Sequence, residues 1–460
     1  MDLANRISEI CLAKFDALPK TGKPNEGFEW TILSAIVKVE LNSSEPKIEV
    51  VALGTGTKCL GSNQLSVKGD VLNDSHAEIM ARRGFLRYLM SEMKNASVKR
   101  SRVFEYSDES KKLRMHKEVA FHFFTTHSPC GDASIFELAD RPGQDGPPAK
   151  KMKSTCDGSK AGSAFAVAEG MTGGKLLQCP GPDMMAQDMG MIRTKPGKGV
   201  RTLSVSCSDK MARWNMLGVQ GSLLTTLLEE PIYLESIVIC GGTEFSKEAI
   251  ERALWIRWDG ELMESVLKQP FRLNKPNVVL ATNGKLFRFR KNRDSNDGSK
   301  FQPAPGGIVW CGGVDDRPLE VEIGGRRQGI TKKKLGTPAA RLKISKIELF
   351  STFVSLRNAL RIGVDGDGVA AESSNADVQK NLSPPTGGHC QDTAGGEEGE
   401  IDASTSGARE DLSSLRYADA KELCRSYREQ WNTLRTRVFR VWSEKPSCLL
   451  DFTLNSQGSV

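Results

Sequence analysis

No run of the 460-residue sequence approaches the ~20 consecutive apolar residues that a membrane-spanning helix requires, so no helix of this chain is expected to cross a membrane. The first residues, Met1-Asp2-Leu3-Ala4-Asn5-Arg6, lack a basic stretch followed by an apolar one, so export is not expected and the location is read as cytoplasmic and/or nuclear. The eleven cysteines are scattered rather than spaced as a disulfide framework; they read as thiols, with a few candidate metal ligands among them. Apolar residues are scarce at 38%, while the charged share, 26%, is ordinary. Such a balance implies polar segments diluting a normal core. There is no internal repeat and no separate small RNA-binding module. Gly54-Thr55-Gly56 lacks the spacing of a phosphate loop, which excludes nucleoside-triphosphate binding there.

Charge is present but unevenly spread. Gly363 to Asp411 carries eleven Asp/Glu and two Lys/Arg, a net −9, which leaves +16 on the rest of a chain whose net charge is +7. A body that basic suits a polyanionic partner such as nucleic acid. Three segments, about 140–174, 292–306 and 363–411, are too polar to offset their ordering entropy and read as mobile inserts. Residues 1–24 read as a helix and loop, with an amphipathic helix over Leu3 to Leu18; 25–452 form the main domain, and 453–460 a tail. Strands are expected at Trp30 to Val39, Lys47 to Leu53, Val119 to Thr126, Leu203 to Val205 and Ser236 to Cys240, with a tight Gly-rich turn at Gly54 to Lys58. Helices are expected at His76 to Lys94, Gly131 to Leu138, Ser208 to Leu217, Lys247 to Trp255 and within Tyr417 to Arg440. The alternation argues for an α/β fold.

Three short motifs carry chemistry: Asn73-Asp74-Ser75-His76-Ala77-Glu78, Ser128-Pro129-Cys130 and Ser206-Cys207-Ser208-Asp209-Lys210. One His and two Cys suit a tetrahedral Zn²⁺ with its fourth position open to water. Glu78, two residues beyond His76, can move protons without binding metal. This is the donor set of zinc nucleobase deaminases. Ser128 as an N-cap, with Pro129 in the first turn, would put Cys130 at a helix N-terminus, where the helix dipole favours a thiolate. Each motif also has a plain reading. Ser75-x-x-Glu78 is a capping box, the Pro-Cys-x-x-Cys of small cytidine deaminases is missing, and Cys156 and Cys179 compete with Cys207 for the third ligand position. His122 and His127, on or beside a strand, read as core or edge residues. Gly325-Arg326-Arg327 and Lys332-Lys333-Lys334 are a basic stretch that could hold RNA phosphates or be solvated.

Five ordered blocks go further. Gly54-Thr55-Gly56-Thr57-Lys58-Cys59, Asn73 to Arg83, Ser128-Pro129-Cys130-Gly131-Asp132-Ala133, Cys207 to Asn215 and Gly218-Val219-Gln220-Gly221-Ser222-Leu223-Leu224 together resemble the adenosine deaminase domain of the ADAR family, from about Asn25 to Phe452 outside the inserts. Without a duplex-RNA-binding module ahead of it, the chain is most similar to the tRNA-acting branch. The resemblance implies a cytidine-deaminase-like mixed sheet with helices on both faces and a largely helical C-terminal region. It also implies hydrolytic conversion of adenosine to inosine, just 3′ of the anticodon of alanine tRNA, by a chain expected to act as a monomer. It assigns zinc to His76, Cys130 and Cys207, the proton shuttle to Glu78, and substrate contacts to Thr57 and Lys58. It further implies a buried inositol hexakisphosphate held by Asn73, Ile79, Arg82, Arg83, Lys210, Arg213, Trp214, Ser222, Lys346, Tyr417, Lys421, Tyr427, Trp442 and Lys445, with a relay to the metal through Lys210, Gln220, Asp74 and Lys195. Two departures stand out. Trp431 replaces a C-terminal lysine of the family pattern. Arg193 to Gly199 resembles a base-flipping loop but is shorter, with Lys198 nearest the position where mRNA editors have Glu. A tRNA loop base is already partly unstacked and needs less of a wedge.

Overall fold

A computed structural model of the chain describes residues 2–41, 45–136, 171–172, 189–197, 200–291, 301–365 and 414–455. At its centre lies an eight-stranded mixed sheet. In chain order the strands used below are β1 (Leu33–Glu40), β2 (Lys47–Thr55), β3 (Thr57–Cys59), β4 (Asp74–His76), β5 (Val119–Thr125), β6 (Ser236–Ile239), β7 (Asn277–Leu280), β8 (Gly306–Cys311), β9 (Leu319–Ile323) and β10 (Arg326–Arg327). The sheet runs β7-β6-β5-β1-β2-β8-β9-β10, while β3 and β4 form an antiparallel pair of their own. Neighbours β5, β6 and β7 are parallel; the remaining neighbours are antiparallel.

Alternation of side chains along the strands fills both faces. Ala35, Val37, Val39 and Phe124 face helix α1 (Leu3–Ala17), whose Ile7, Cys11 and Phe15 recur at helical spacing. Phe15 meets the Phe287 ring edge-on at 5.3 Å. The N-terminal helix therefore belongs to the main core. Ile36, Phe121 and Phe123 face the opposite side, where α2 (Ala77–Ser97) crosses β1, β2 and β8. The same layer holds α3 (Cys207–Leu217), α4 (Gly221–Thr225), α5 (Lys247–Leu254) and α6 (Glu261–Val266), followed by the long α7 (Lys346–Asp365). The C-terminal region adds α8 (Tyr417–Glu422) and α9 (Arg425–Thr433), which runs on into a π-helical segment, Leu434–Phe439. This is the mixed α/β architecture, helices on both faces, that the resemblance implied.

Several local expectations fail for identifiable reasons. Gly54 to Lys58 is not a tight turn: β2 runs through Thr55, β3 starts at Thr57, and only Gly56, at φ 138°, breaks the run. Gly131 to Leu138 is not a helix, because Gly131 sits at φ 106° and only Asp132–Ser134 make a 3-10 turn; residues 137–138 lie outside the described ones. Of Leu203 to Val205, only Val205 pairs, as an isolated bridge to Thr194. Within 292–306, Gln302–Pro303 pair in parallel with Glu29–Trp30 and β8 begins at Gly306. Within 140–174, Met171–Thr172 pair with Arg193–Thr194. Helix α7 reaches Asp365. Residues 140–170, 173–174, 292–300 and 366–411, Cys156 among them, lie outside the described residues, and so does Cys179.

Gly54 fixes how α2 lies on the sheet. A Cβ there would stand 2.5 Å from Met80 Cβ and 2.6 Å from Ala77 O, in the first turns of α2. Gly54→Ala is expected to cost about 1–3 kcal/mol through overpacking, read as a lower urea midpoint. Gly27→Ala, with nothing within 4 Å of its added Cβ, should leave the midpoint unchanged.

Candidate active site and an adjoining cationic cavity

The β3–β4 hairpin delivers His76 to the N-terminus of α2. The helix N-cap is His76 and not Ser75, and no side chain caps it. The capping-box reading of Glu78 therefore fails. Glu78 is 1% exposed, and its Oε2 has no hydrogen-bond partner. A buried carboxylate oxygen left without a donor is costly, and its position beside the thiols described next marks it for a ligand. His76 Nδ1 stands 2.9 Å from Asp74 Oδ1 and 3.2 Å from Lys58 O. These contacts occupy Nδ1 and leave Nε2 as the ring's metal-binding atom, the usual orientation when a carboxylate backs a histidine ligand.

Cys207 opens α3, behind an N-cap Ser206 whose hydroxyl accepts the Asp209 N–H. Cys130 is not at a helix N-terminus, contrary to the sequence expectation. It sits on the turn ahead of Gly131, and the Cys207 N–H donates to its Sγ at 3.3 Å. Gly131 makes this approach possible, since a Cβ there would run into Ser206 and the Ser208 hydroxyl. The two thiols share a hydrogen bond that pulls Cys130 down to about 6 against its burial, while burial and the same bond push Cys207 well up. The shared bond thus favours ionisation of Cys130 over that of Cys207. Among the described residues no three His, Cys, Asp or Glu side chains converge closely enough to hold a metal ion as they stand. The donor chemistry nonetheless fits Zn²⁺: an imidazole with Nε2 available, two thiols in contact of which one is readily ionised, and an unpartnered carboxylate alongside.

Asp74 joins this centre to a second one. Its carboxylate accepts from Lys195 at 2.9 Å and from Lys210, and Lys195 Nζ also stands 3.0 Å from Cys207 Sγ. Burial alone would raise the Asp74 carboxyl, but Lys195, Lys210 and His76 hold it well below the usual range. Burial would lower Lys195; Asp74 and the thiols keep it well above the usual range. Gln220, assigned to the same relay by resemblance, bonds elsewhere: to Leu217 O, the Thr225 hydroxyl and the Ile232 N–H.

Beyond Lys210 opens a cavity of about 510 Å³. All fourteen residues that the resemblance gives to a polyanion line it: Asn73, Ile79, Arg82, Arg83, Lys210, Arg213, Trp214, Ser222, Lys346, Tyr417, Lys421, Tyr427, Trp442 and Lys445. Arg428 and Arg435, which sequence reasoning missed, line it too; only their recurrence on one helical stretch with Tyr427 and Trp431 could have flagged them. The walls carry nine Lys or Arg against two acids, Asp74 and Glu444. Burial, reinforced by neighbouring cations, lowers Lys346 and Lys421 to about 7 and Lys445 to about 8. Burial also lowers Arg82 to about 10. Both amide atoms of Asn73 and the Arg213 Nε have no hydrogen-bond partner. Trp431 lines the same cavity, and the Arg213 guanidinium lies over its ring at 3.6 Å. The set fits a compact polyanion with many acceptor oxygens.

The remaining expected residues divide. Thr57 pairs with His76 across the β3–β4 hairpin, and its buried hydroxyl has no hydrogen-bond partner. Lys58 is half-buried, with Nζ 3.5 Å from Pro303 O. Lys198 lies outside the described residues. His122 is a core histidine bonded to Ser236 and lowered by burial to about 4. His127, set aside with it on sequence grounds, borders the site, since the Glu78 charge acts on it. Lys332–Lys334 form an exposed 3-10 turn, and Arg326 reaches back to Asp70 at 3.3 Å.

Residues 52–370 match the adenosine-deaminase (editase) domain family. The chain is 37% identical to the tRNA-specific adenosine deaminase 1 of Drosophila melanogaster, across 97% of this chain and 96% of that protein. It is 32% identical to the tRNA-specific adenosine deaminase 1 of Homo sapiens, across 96% and 98%. It is also 32% identical to the double-stranded RNA-specific adenosine deaminase of Mus musculus, across 76% of this chain and 28% of that longer protein. With identity of this level over nearly its whole length, the chain belongs to the adenosine-deaminase (editase) domain family of enzymes.

Proposed function

We propose that this enzyme hydrolytically deaminates adenosine to inosine in tRNA, at the adenosine immediately 3′ of the anticodon of alanine tRNA. The observation that carries the chemistry is Glu78: a buried carboxylate with an unpartnered oxygen, set beside a hydrogen-bonded thiol pair and His76. The names of its full-length relatives and the shortened Arg193 to Gly199 loop support tRNA. The family is generally zinc-dependent, and here His76, Cys130 and Cys207 would hold the ion. Bound there, Zn²⁺ supplies a Lewis acid that lowers the pKa of a water. Glu78 Oε2 accepts one proton of that water as oxygen attacks C6 of adenine and returns it to the ring nitrogen; it then carries the second proton, from the new C6 hydroxyl, to the amino group, which leaves as ammonia. Asp74 holds His76 by Nδ1, and Lys195 balances the thiolate charge. Thr57, beside His76, offers a hydroxyl to the target nucleoside, Lys58 is assigned by the resemblance to its backbone, and Lys198 is the residue nearest by register to the base-flipping position.

The cavity holds inositol hexakisphosphate in this reading, with the fourteen lining residues as its donors and the Lys210–Asp74–Lys195 chain connecting it to the thiols. A second reading, an editor of other structured RNA, is favoured by the 32% identity to the double-stranded RNA-specific enzyme. Incubating the protein with a panel of tRNA transcripts and one duplex RNA, then sequencing for inosine, decides between them. Inosine in the duplex but in no tRNA overturns the tRNA assignment.

Glu78→Gln should cut turnover about 10²–10⁴-fold or more with the fold and zinc content retained; wild-type turnover would return Glu78 to a structural part. Cys207→Ala should remove zinc and activity together, as measured by metal analysis. The cavity generates a pH prediction. Lys346, Lys421 and Lys445 have folded pKa values near 7 to 8 against an ordinary 10.5, so between those limits the unfolded chain binds more protons. Polyanion-free protein should therefore gain stability as pH rises from about 7 toward 10 and lose it as pH falls. Added inositol hexakisphosphate should abolish or reverse that slope, because it favours the charged lysines. Thermal melts across pH with and without the ligand read this directly; identical slopes would count against a polyanion site.

A further inference from the structure

Each of the two cysteines is followed, two residues on, by an aspartate: Cys130-Gly131-Asp132 and Cys207-Ser208-Asp209. Both aspartates are fully buried, and each is held by an arginine from one short helical stretch. Arg252, in the last turn of α5, donates from Nε to Asp132 Oδ2 at 3.0 Å and from Nη2 to Asp132 O and Ile135 O. Arg257, in the 3-10 turn Ile256–Trp258 that follows, donates from Nη2 to Asp209 Oδ1 at 2.5 Å.

The two pairs are stapled together by a third segment. Asp132 Oδ1 accepts the Gly190 N–H at 2.7 Å, and Asp209 Oδ2 accepts the Arg193 N–H at 3.0 Å. Arg257 Nη1 donates to Gly190 O and Met191 O. That segment ends at Lys195, whose ammonium reaches Asp74 and Cys207 Sγ. Asp209 Oδ2 also accepts the Ser206 hydroxyl, which caps the helix that Cys207 opens.

We propose that Arg252 and Arg257 act as a shared two-point clamp: positioning residues that set the separation of Cys130 and Cys207 and seat Lys195 against them. The inference rests on the reading that these cysteines bind the metal. Its physical basis is the contrast between stability and geometry. Replacing a buried ion pair with apolar residues commonly leaves a fold as stable or more so, so two such pairs at the two thiol loops are poorly explained as stabilisers. A guanidinium adds a rigid fork whose donors fix several acceptors at once. Here the acceptors are the carboxylates two residues beyond each thiol and the carbonyls of Asp132, Ile135, Gly190 and Met191. Cys130 sits on a turn without a helix to orient it, so such a hold matters most on that side.

The test uses full-length protein carrying Arg257→Lys or Arg252→Lys, which keep the charge and lose the fork, with Ile250→Val as a control. Ile250 is buried on the apolar face of α5 and touches neither aspartate through hydrogen bonds. Zinc affinity is measured by chelator competition, the thiolate-to-cobalt charge-transfer band in cobalt-substituted protein, and kcat and KM on a tRNA transcript. Both lysine variants should bind zinc about 10–100-fold more weakly, show a weakened and shifted cobalt band, and lose kcat with KM within about twofold of wild type. Ile250→Val should lower the thermal midpoint while leaving metal affinity and the band intact. Wild-type zinc affinity and spectra in both lysine variants would overturn the clamp. So would losses that follow the thermal midpoint as they do in Ile250→Val. Because Arg252 is 23% exposed at its side chain and Arg257 only 6%, the Arg252→Lys protein carries the test should the other fold poorly. Wild-type protein that takes up neither zinc nor cobalt overturns the metal reading itself, an outcome distinct from failure of the clamp alone.

Discussion

Asp74 is a buried carboxylate with two lysines and a histidine on it, and the arrangement around both centres depends on how that charge is balanced. A carboxylate so enclosed would protonate unless cations met it. Lys195 meets both of its oxygens and Lys210 meets Oδ2. Lys195 is itself fully enclosed and would discharge without Asp74 and the neighbouring thiols. Lys210 lies on the wall of the cationic cavity. The three side chains therefore make one electrostatic unit in which a change of charge at either end is felt at the other. A polyanion filling the cavity would compete for the Lys210 charge and leave Asp74 more dependent on Lys195. That in turn sets how much positive charge Lys195 presents to Cys207. The coupling requires no motion, only that all partners stay dry.

The thiol loops meet for steric reasons that are equally local. Gly131 lets the Cys130 turn approach the start of α3 so closely that the Cys207 N–H reaches its sulfur. Gly54 lets the first turns of α2 settle on β2, which puts His76 and Glu78 at the end of the sheet. Three motifs 54 and 77 residues apart in sequence are brought into one locus by helix starts, a turn and two absent methyl groups. The β3–β4 hairpin adds the last element by presenting Thr57 against His76.

Much of this was legible in the residues and some of it could not be. The hairpin of β1 and β2, the buried strands β5 and β6 and the amphipathic helices follow from apolar periodicity, because those segments face the core on one or both sides. The helix expected after Cys130 failed because Pro and Ser suit a helix start as readily as they suit an irregular turn, and a glycine at positive φ decided the matter. The capping-box reading of Glu78 failed because sequence spacing cannot say which residue takes the N-cap position; His76 does, and Glu78 turns inward. The cavity was beyond reach of periodicity altogether. Its cations come from α2, α3, α7, α8, α9 with its π-helical continuation, and the C-terminal segment, and only the family resemblance grouped most of them. Arg428 and Arg435 stayed hidden because neither belongs to that pattern.

Trp431 shows how such a departure can be absorbed. Where the family pattern has a lysine, this chain has an indole, which donates no hydrogen bond to the cavity from its ring face and carries no charge. The face is occupied by the Arg213 guanidinium at 3.6 Å, with the Tyr427 ring on the same cation at 5.7 Å and its hydroxyl at 3.3 Å. Stacking leaves the edge of the guanidinium, where its donors lie, directed past the ring. One cation fewer also means less mutual repulsion among the remaining nine, three of which are already lysines pulled down to pKa values of about 7 or 8. The substitution thus exchanges a flexible charge for a fixed orientation of one that is already there. Arg428 and Arg435, three residues before and four residues after Trp431 on the same helical stretch, keep the total positive charge of the wall high. In this cavity the count of cations is less informative than which of them are held rigid, and the aromatic residues of the C-terminal region do the holding.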